Sequence, residues 1–299
     1  MRTENPLVSV VMPVYNAAPF VKQAVESILT QTYKNFEFII IDDASKDNSH
    51  EIVKKLARRD KRIRLLRNKK NIGIGATMNK LLSEVKGDFI ARMDADDVAY
   101  PTRLEKQVNY LLENPDVGIV GSFMNEINEK NEFVATREVP LIHEEISEQF
   151  MTMQAIQNPT LMFNKNLVLK EELYYKDTLS PVDDLDFYFR QLWYVKFANI
   201  PEYLMSYRKH SSNSSLKDIK KTFKLSLKVR IDAIRKYGYK PTFRGIITVF
   251  AQLVVVNLLP NKWIYPVYSL LRGMKKVGVS FVVTKPRLVR TKLAGLLNL

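Results

Sequence analysis

The sequence predicts an α/β protein: a layered αβα unit built on a mostly parallel sheet, followed by a basic, partly apolar helical region. Three observations predict it. Short apolar runs alternate with amphipathic helical segments over the first 140 residues, at the pitch of strand–helix units. Three of these runs stop abruptly at polar or acidic residues, as strands buried on both faces do when they deliver side chains to a sheet edge. Charge is also divided. Residues 217–299 hold 18 Lys and Arg against Asp218 and Asp232 alone, so the net +14 is carried there while residues 1–216 are near neutral.

In order, residues 7–15 read as a buried strand stopped by Asn16. Pro19 opens a helix in which Phe20, Val21, Ala24, Val25, Ile28 and Leu29 recur at helical spacing. Residues 36–41 form a second strand ending in Asp42-Asp43. A turn over 45–49 leads to a helix with Ile52, Val53 and Leu56 inward. Residues 63–67 are a third strand, Asn71-Ile-Gly-Ile-Gly75 a loop, and 76–86 a helix. The fourth strand runs through Ile90-Ala-Arg-Met93 into Asp94-Ala-Asp-Asp97. A helix follows over 101–113, with Asp97 or Thr102 as candidate cap, and then a strand over 117–127. In such sheets ligands sit beyond the carboxyl ends of the strands, where strand order reverses. Tyr15-Asn16, Asp42-Asp43 and Asp94 to Asp97 are therefore expected on one rim.

Beyond Pro140 the pattern loosens. Residues 143–153 read as helix, and 158–163 as a loop feeding a strand. Residues 180–190 open a helix with Asp183, Asp184 and Asp186 in its first turn, where the helix dipole favours acids. Residues 203–207 form a strand, followed by Arg208-Lys-His210. Residues 219–237 are amphipathic, with Phe223, Leu227, Ile231 and Ile234 on one face. The uncharged stretch 246–259 is shorter than the roughly 20 residues of a membrane span, and reads as a buried or interfacial helix. Basic helices of this kind, with Trp263, Tyr265 and Tyr268 following, suit the surface of an anionic bilayer.

Composition narrows the chemistry. With 46% hydrophobic residues in 299, the chain can bury one large core or two smaller ones. It has no cysteine, which excludes a disulfide framework, a zinc–thiolate site and a thiol nucleophile. Its three histidines, His50, His143 and His210, are scattered. Residues 1–6 are polar and the run after them is short, so no signal peptide is expected. The clustered carboxylates Asp94, Asp96 and Asp97 repel one another, and their natural partner is a hard cation such as Mg²⁺ or Mn²⁺ bridging to phosphate. Gly73-Ile-Gly75 follows the third strand and has Met78 where a dinucleotide fingerprint needs a third glycine. No Walker-type loop is present. A sugar-nucleotidyltransferase would share the αβα plan, but Pro13-Val-Tyr-Asn16 stands in place of its Gly-rich first loop. A basic nucleic-acid-binding protein is the non-enzymatic alternative, and the long uncharged helix within the basic region weighs against it.

Ser9-Val-Val-Met-Pro-Val-Tyr-Asn16, Ser27-Ile-Leu-Thr-Gln-Thr32, Ile41-Asp-Asp-Ala-Ser-Lys-Asp-Asn-Ser49, Arg92-Met-Asp-Ala-Asp-Asp97 and Pro101-Thr-Arg-Leu104 occur in order. Together they are similar to the large bacterial family 2 of inverting, nucleotide-sugar-dependent glycosyltransferases with the GT-A fold, a Rossmann-like αβα architecture. The likeness is greatest to the exopolysaccharide, capsule and O-antigen branch, and it covers roughly the first 210 residues. It implies a catalytic domain over 1–212, and a membrane- or partner-associating region over 213–299. It also implies that Pro13 and Tyr15 flank the nucleobase, that Asp43 with Asp42 behind it accepts from base or ribose, and that Asp94 and Ala95 face the ribose. Asp96 would hold Mn²⁺ or Mg²⁺, with Asp97 behind it. His210 would reach the metal or diphosphate, and Arg208 would neutralise phosphate. Asp184 would be the catalytic base, preceded by Asp183 where the family has Glu. Asn158 stands where the family commonly has His. The implied reaction moves a sugar from a nucleoside diphosphate sugar, UDP by default, to a saccharide hydroxyl with inversion. The implied acceptor is lipid-linked, on polyprenyl diphosphate. The expected location is the cytoplasmic face of the inner membrane, held peripherally by residues 217–299. No nucleic-acid partner is expected, and self-association is admitted.

Overall fold

The apolar runs at 7–15, 36–41, 63–67 and 89–92 become the parallel half of a nine-stranded sheet in a computed structural model of the protein, which describes residues 5–168, 170–210 and 219–259. These strands are β1 (Val8–Val14), β2 (Phe36–Asp42), β3 (Ile63–Arg67) and β4 (Phe89–Arg92). They lie in the order β3-β2-β1-β4, all parallel. The crossovers are helices α1 (Val21–Leu29), α2 (Ser49–Ala57) and α3 (Ile74–Ser83). Along β1, Val8, Val10, Met12 and Val14 point into one apolar cluster with Val21, Val25 and Ile28 of α1. Val11 points to the opposite cluster, with Met78 and Leu81 of α3. Both faces are therefore buried, which is why the run lacks polar alternation. Strand order reverses between β1 and β4, so the crevice for a ligand opens at their carboxyl ends.

The second half is mixed. β5 (Val98–Ala99) leads to α4 (Arg103–Glu113) and β6 (Val117–Ile127), whose hairpin partner is β7 (Phe133–Arg137). After α5 (His143–Phe150), β8 (Met162–Asn164) joins β4 to β6, antiparallel to both. α6 (Asp183–Gln191) precedes β9 (Lys196–Arg208), which runs parallel to β6 and antiparallel to β5.

Three strands differ from the sequence expectation. β5 is two residues long, too short to leave a periodic pattern. β7 is a partly exposed hairpin arm, with Phe133 and Val134 in solvent. The first half of β9 is broken by Pro201-Glu202, where its register against β6 shifts. Neither proposed cap closes α4. Thr102 occupies the N-cap position without a side-chain bond, and the Asp97 carboxylate turns away to the Arg208 backbone N–H, 2.8 Å away.

Two further helices, α7 (Ile219–Lys236) and α8 (Phe243–Leu258), pack on the α5/α6 side of the sheet. Val229, Ala233 and Val249 join the same cluster as Phe150 and Phe189. Arg230 donates to the Phe150 carbonyl at 3.1 Å, and Tyr239 to the Ser147 carbonyl at 2.8 Å. Thr242 caps α8, its hydroxyl accepting from the Gly245 N–H at 3.1 Å. The boundary expected at 212/213, and the aromatic and basic residues after 259, lie outside the described residues.

Candidate active site

The carboxyl end of β1 carries Pro13, half-buried, and Tyr15, 45% exposed and open to a ligand. Asn16 then turns with φ 49°, a left-handed conformation that Asn tolerates. Its N–H donates to Ser45 Oγ at 3.0 Å and its Oδ1 accepts from the Lys46 N–H at 2.8 Å. The β1 and β2 exits are thereby locked together.

Asp42 and Asp43 both lie on the rim, and both are occupied by protein. Asp42 is buried, with Oδ1 accepting from the Ser45 N–H at 3.0 Å. Its Oδ2 stands 2.9 Å from Arg67 Nε and 3.2 Å from His50 Nδ1. The Asp43 carboxylate, 3% exposed, accepts from Asn68 Nδ2 at 2.8 Å and from the Ile72 and Gly73 N–H groups at 3.0 Å each. It pins the loop before α3, and Gly73 supplies the φ of +89° that the loop needs. The Gly-Ile-Gly sequence thus serves backbone geometry. At Gly75 a Cβ would stand 2.9 Å from Asp177 Cα and 3.2 Å from Asp183 Oδ2, so α3 can meet the turn before α6 only through a glycine.

β4 delivers the other acids. Arg92, nearly buried, donates from Nε to Asp94 Oδ1 at 3.0 Å. Ala95 is buried between Asp94 and Asp96, which are both partly exposed. Asp96 Oδ2 lies 2.8 Å from His210 Nε2. The chain separates the two by 114 residues, and β9, returning beside β5, brings them together. Asp97 is fully buried. Burial, then Asp96 and Asp94, raise its carboxyl well above the usual range.

Arg208, expected to face phosphate, is 1% exposed. Its Nε donates to the Asp96 carbonyl at 2.8 Å, Nη1 to the Asn128 carbonyl at 3.1 Å and Nη2 to Gln23 Oε1 at 2.9 Å. Its guanidinium also lies over the Phe20 ring, 4.8 Å from the centroid. A guanidinium has five donors in a fixed fork, and these directions are spent bracing the rim from behind.

Asp184 opens α6. Its Oδ1 accepts from the Leu185 N–H at 2.8 Å, and Oδ2 accepts a short hydrogen bond from Gln154. Burial, then the adjacent Asp183, push its pKa from 3.8 up to about 6, while Arg92 and Gln154 hold it down. Asp183 is raised as well, chiefly by burial. The Arg92 guanidinium is itself held charged by Asp94, Tyr175, Asp184 and Asp183, against its burial. One cation thus stands between the acids after β4 and those at the start of α6. Asp186, four residues before Arg190, is a structural acid. It accepts from Arg190 Nε at 2.8 Å, from Lys176 Nζ at 3.1 Å and from the Tyr237 hydroxyl at 3.1 Å. Asn158 Oδ1 accepts from the Tyr188 hydroxyl at 3.0 Å.

Sequence reasoning passed over Arg92, Gln154 and Asn68. Arg92 carries a readable signal, a cation inside an otherwise apolar strand, which seldom occurs without a partner. Gln154 and Asn68 are single polar residues in loops and carry none.

The donor set bears on a metal. Among the described residues no group of three or more His, Cys, Asp and Glu could hold an ion. Asp96 and His210 offer a carboxylate and an imidazole within reach of one another. That pair fits Mg²⁺ or Mn²⁺ that keeps waters and takes its remaining ligands from a bound diphosphate, and does not fit a dedicated protein cage.

The sequence model described as glycosyl transferase family 2 matches residues 9–170. An uncharacterised glycosyltransferase of Methanocaldococcus jannaschii is 36% identical over 222 residues, 73% of this chain and 76% of that protein. The O-antigen biosynthesis glycosyltransferase WbnJ of Escherichia coli is 35% identical over 217 residues, 70% of this chain and 82% of that protein. Among solved structures, S. aureus TarS 1–349 in complex with UDP-GlcNAc superposes with a TM-score of 0.62 at 19% identity, covering 75% of this chain and 66% of that one. The mannosyltransferase PcManGT of Pyrobaculum calidifontis, in complex with GDP-Man and Mn²⁺, gives 0.58 at 15% identity, covering 90% and 86%. These two show a shared fold, and the architecture is the GT-A fold that the motifs imply. With more than half of the chain matched and relatives above 30% identity aligned over most of their length, this chain belongs to glycosyl transferase family 2.

Proposed function

We propose that the protein transfers a sugar, with inversion, from a nucleoside diphosphate sugar to a hydroxyl of a lipid-linked saccharide during cell-surface polysaccharide synthesis. The observation that carries this reading is the pairing of a buried carboxylate of raised pKa, Asp184, with the Asp94–Asp96 rim across the Arg92 guanidinium. A hydroxyl nucleophile needs a base within hydrogen-bond reach, and a carboxylate near pKa 6 is ionised at neutral pH yet able to take a proton. In this reading Tyr15 and Pro13 cover the base, and Asp94 with Ala95 borders the ribose. Asp42 and Asp43 shape the same wall by fixing its loops. Asp96 and His210 hold Mn²⁺ or Mg²⁺. A bound divalent ion would supply positive charge to the leaving diphosphate. Arg208 adds charge from behind the rim and keeps Asp96 in place. Gln154 aims the Asp184 carboxylate, which accepts the acceptor hydroxyl proton as that oxygen attacks the anomeric carbon opposite the diphosphate. Attack from that side inverts the centre.

Membership of the family favours transfer over the nucleotidyltransferase and nucleic-acid-binding alternatives. The relative WbnJ, named for O-antigen biosynthesis, supports the polysaccharide context. A lipid-linked acceptor places the enzyme at the cytoplasmic face of the membrane. A donor-hydrolysis screen across UDP-, GDP- and dTDP-sugars with Mn²⁺ tests the core of the proposal. One donor is expected to be consumed, and Asp184→Asn is expected to abolish transfer while nucleotide binding persists. Full turnover by that variant overturns the assignment of the base.

A further inference from the structure

α8 is apolar on two sides. Gly245, Val249 and Val256 are buried against the catalytic unit, where Met151 lies 3.2 Å from the place of a Gly245 Cβ and Gln252 donates to the Thr152 carbonyl at 3.2 Å. On the other side Phe243, Ile246, Ile247, Phe250, Val254 and Leu258 are exposed, with Phe243 at 78%, Phe250 at 68% and Leu258 at 77%. At 3.6 residues per turn these six fall within roughly a third of the circumference, along a helix about 24 Å long. Arg244 is the one charge on it. A contiguous apolar stripe of this length marks an interaction surface.

Charge indicates what covers it. α7 exposes Lys221, Lys224, Lys228 and Arg235, and Lys236, Lys240 and Arg244 lead into the stripe. No Asp or Glu follows Asp232 in the sequence, whereas twelve Lys and Arg do. In a two-fold dimer through α8 each copy would bring the same cations to the seam, with no acids to meet them. Docking of residues 260–299 on the stripe has the same difficulty, since that segment also lacks acids. An anionic bilayer supplies both complements, an apolar layer for the stripe and negative headgroups for its flanks.

We propose that the exposed face of α8 seats in the headgroup–acyl boundary of an anionic membrane, with the α7 cations on the headgroups. Among the described residues no helix is long and apolar enough to cross a bilayer, so the contact lies in the membrane plane. This surface deepens the proposed function, since it would bring the α5/α6 side of the sheet, with Gln154 and Asp184, toward lipid-borne acceptors. The test uses the full chain, vesicles of phosphatidylglycerol mixed with phosphatidylcholine, and vesicles of phosphatidylcholine alone. Cosedimentation is expected with the anionic vesicles and is expected to weaken with salt. Phe243→Glu with Phe250→Glu is expected to lower partitioning at least about tenfold, with donor hydrolysis in solution and thermal unfolding unchanged. Phe250→Trp is expected to shift its emission to the blue on anionic vesicles. Undiminished vesicle binding by the double variant overturns the proposal. So does a wild-type dimer that the double variant dissociates, because the stripe would then be a seam between copies. Loss of donor hydrolysis in the wild type would instead count against the transferase reading, leaving the vesicle result standing.

Discussion

At the scale of single residues the site is governed by how burial and one cation divide the acids. Asp184 has a pKa of about 6 against 3.8 for a free carboxyl. As a general base it must be ionised, so kcat/KM is expected to rise with pH through about 6 and then level, which a pH–rate profile checks. The same shift predicts a stability effect. Below pH 3.8 both folded and unfolded states hold the proton, and the group costs nothing. Between 3.8 and 6 the folded state retains a proton that the unfolded state releases, and above 6 the full cost of the buried charge, about 3 kcal/mol, is felt. Asp184→Asn removes that charge and keeps an acceptor for Gln154. It is therefore expected to be inactive yet more stable than wild type at pH 8, with the gain fading toward pH 4 in thermal melts. Arg92 acts in the opposite sense, because its guanidinium holds Asp184 and Asp183 down. Arg92→Met is expected to move the rise of the pH–rate profile to higher pH. It should also raise KM for the donor, since Asp94 loses its partner 3.0 Å away. An unmoved profile would place Arg92 outside the base's surroundings.

At the scale of elements, α3 meets the α6 entry at one point of close approach, Gly75 against Asp177 and Asp183. Gly75→Ala puts a methyl 2.9 Å from the Asp177 backbone, which cannot rotate away. Overpacking of this kind costs about 1–3 kcal/mol, so a lower melting temperature is expected together with a lower kcat, because the turn that must move carries Asp183 into α6. A loss of stability with kcat intact would uncouple the two. The same element shows what the sequence could disclose. The strands β1, β2 and β4 were readable because burial on both faces leaves an unbroken apolar run. Their acidic ends were readable as a rim. What the acids do there was not, because an Asp at a strand exit looks alike whether it fixes a loop or meets a ligand. Asp42 and Asp43 turn out to grip Ser45, Arg67, Asn68, Ile72 and Gly73. β5 and β7 left too short or too exposed a pattern. The Asp96–His210 pairing, 114 residues apart, entered only through the likeness to a known family, since no local periodicity encodes it.

At the scale of the whole molecule, the parallel half of the sheet and the mixed half join where β8 pairs with β4, and the rim acids sit at that seam. Arg208 closes the seam from the far side, tying Gln23 of α1, the Asp96 carbonyl and the turn at Asn128 to the end of β9. Two substitutions on this rim are expected to fail differently. Asp96→Ala removes a partly exposed carboxylate, so unliganded stability should change little. In wild type, UDP with Mn²⁺ is expected to raise the melting temperature more than UDP alone, because a ligand that binds only the folded state stabilises it by mass action. In Asp96→Ala that Mn²⁺-dependent increment should vanish while the increment from UDP alone remains. Arg208→Gln instead strands buried acceptors on three elements, at about 1–3 kcal/mol for each one left unsatisfied. Its melting temperature should fall before any ligand is added, and its UDP increment should shrink with or without Mn²⁺, because the wall that positions Asp96 has loosened. If Arg208→Gln were as stable as wild type and lost only the Mn²⁺-dependent increment, the guanidinium would have to reach the diphosphate itself, and the bracing role drawn from its burial would be wrong.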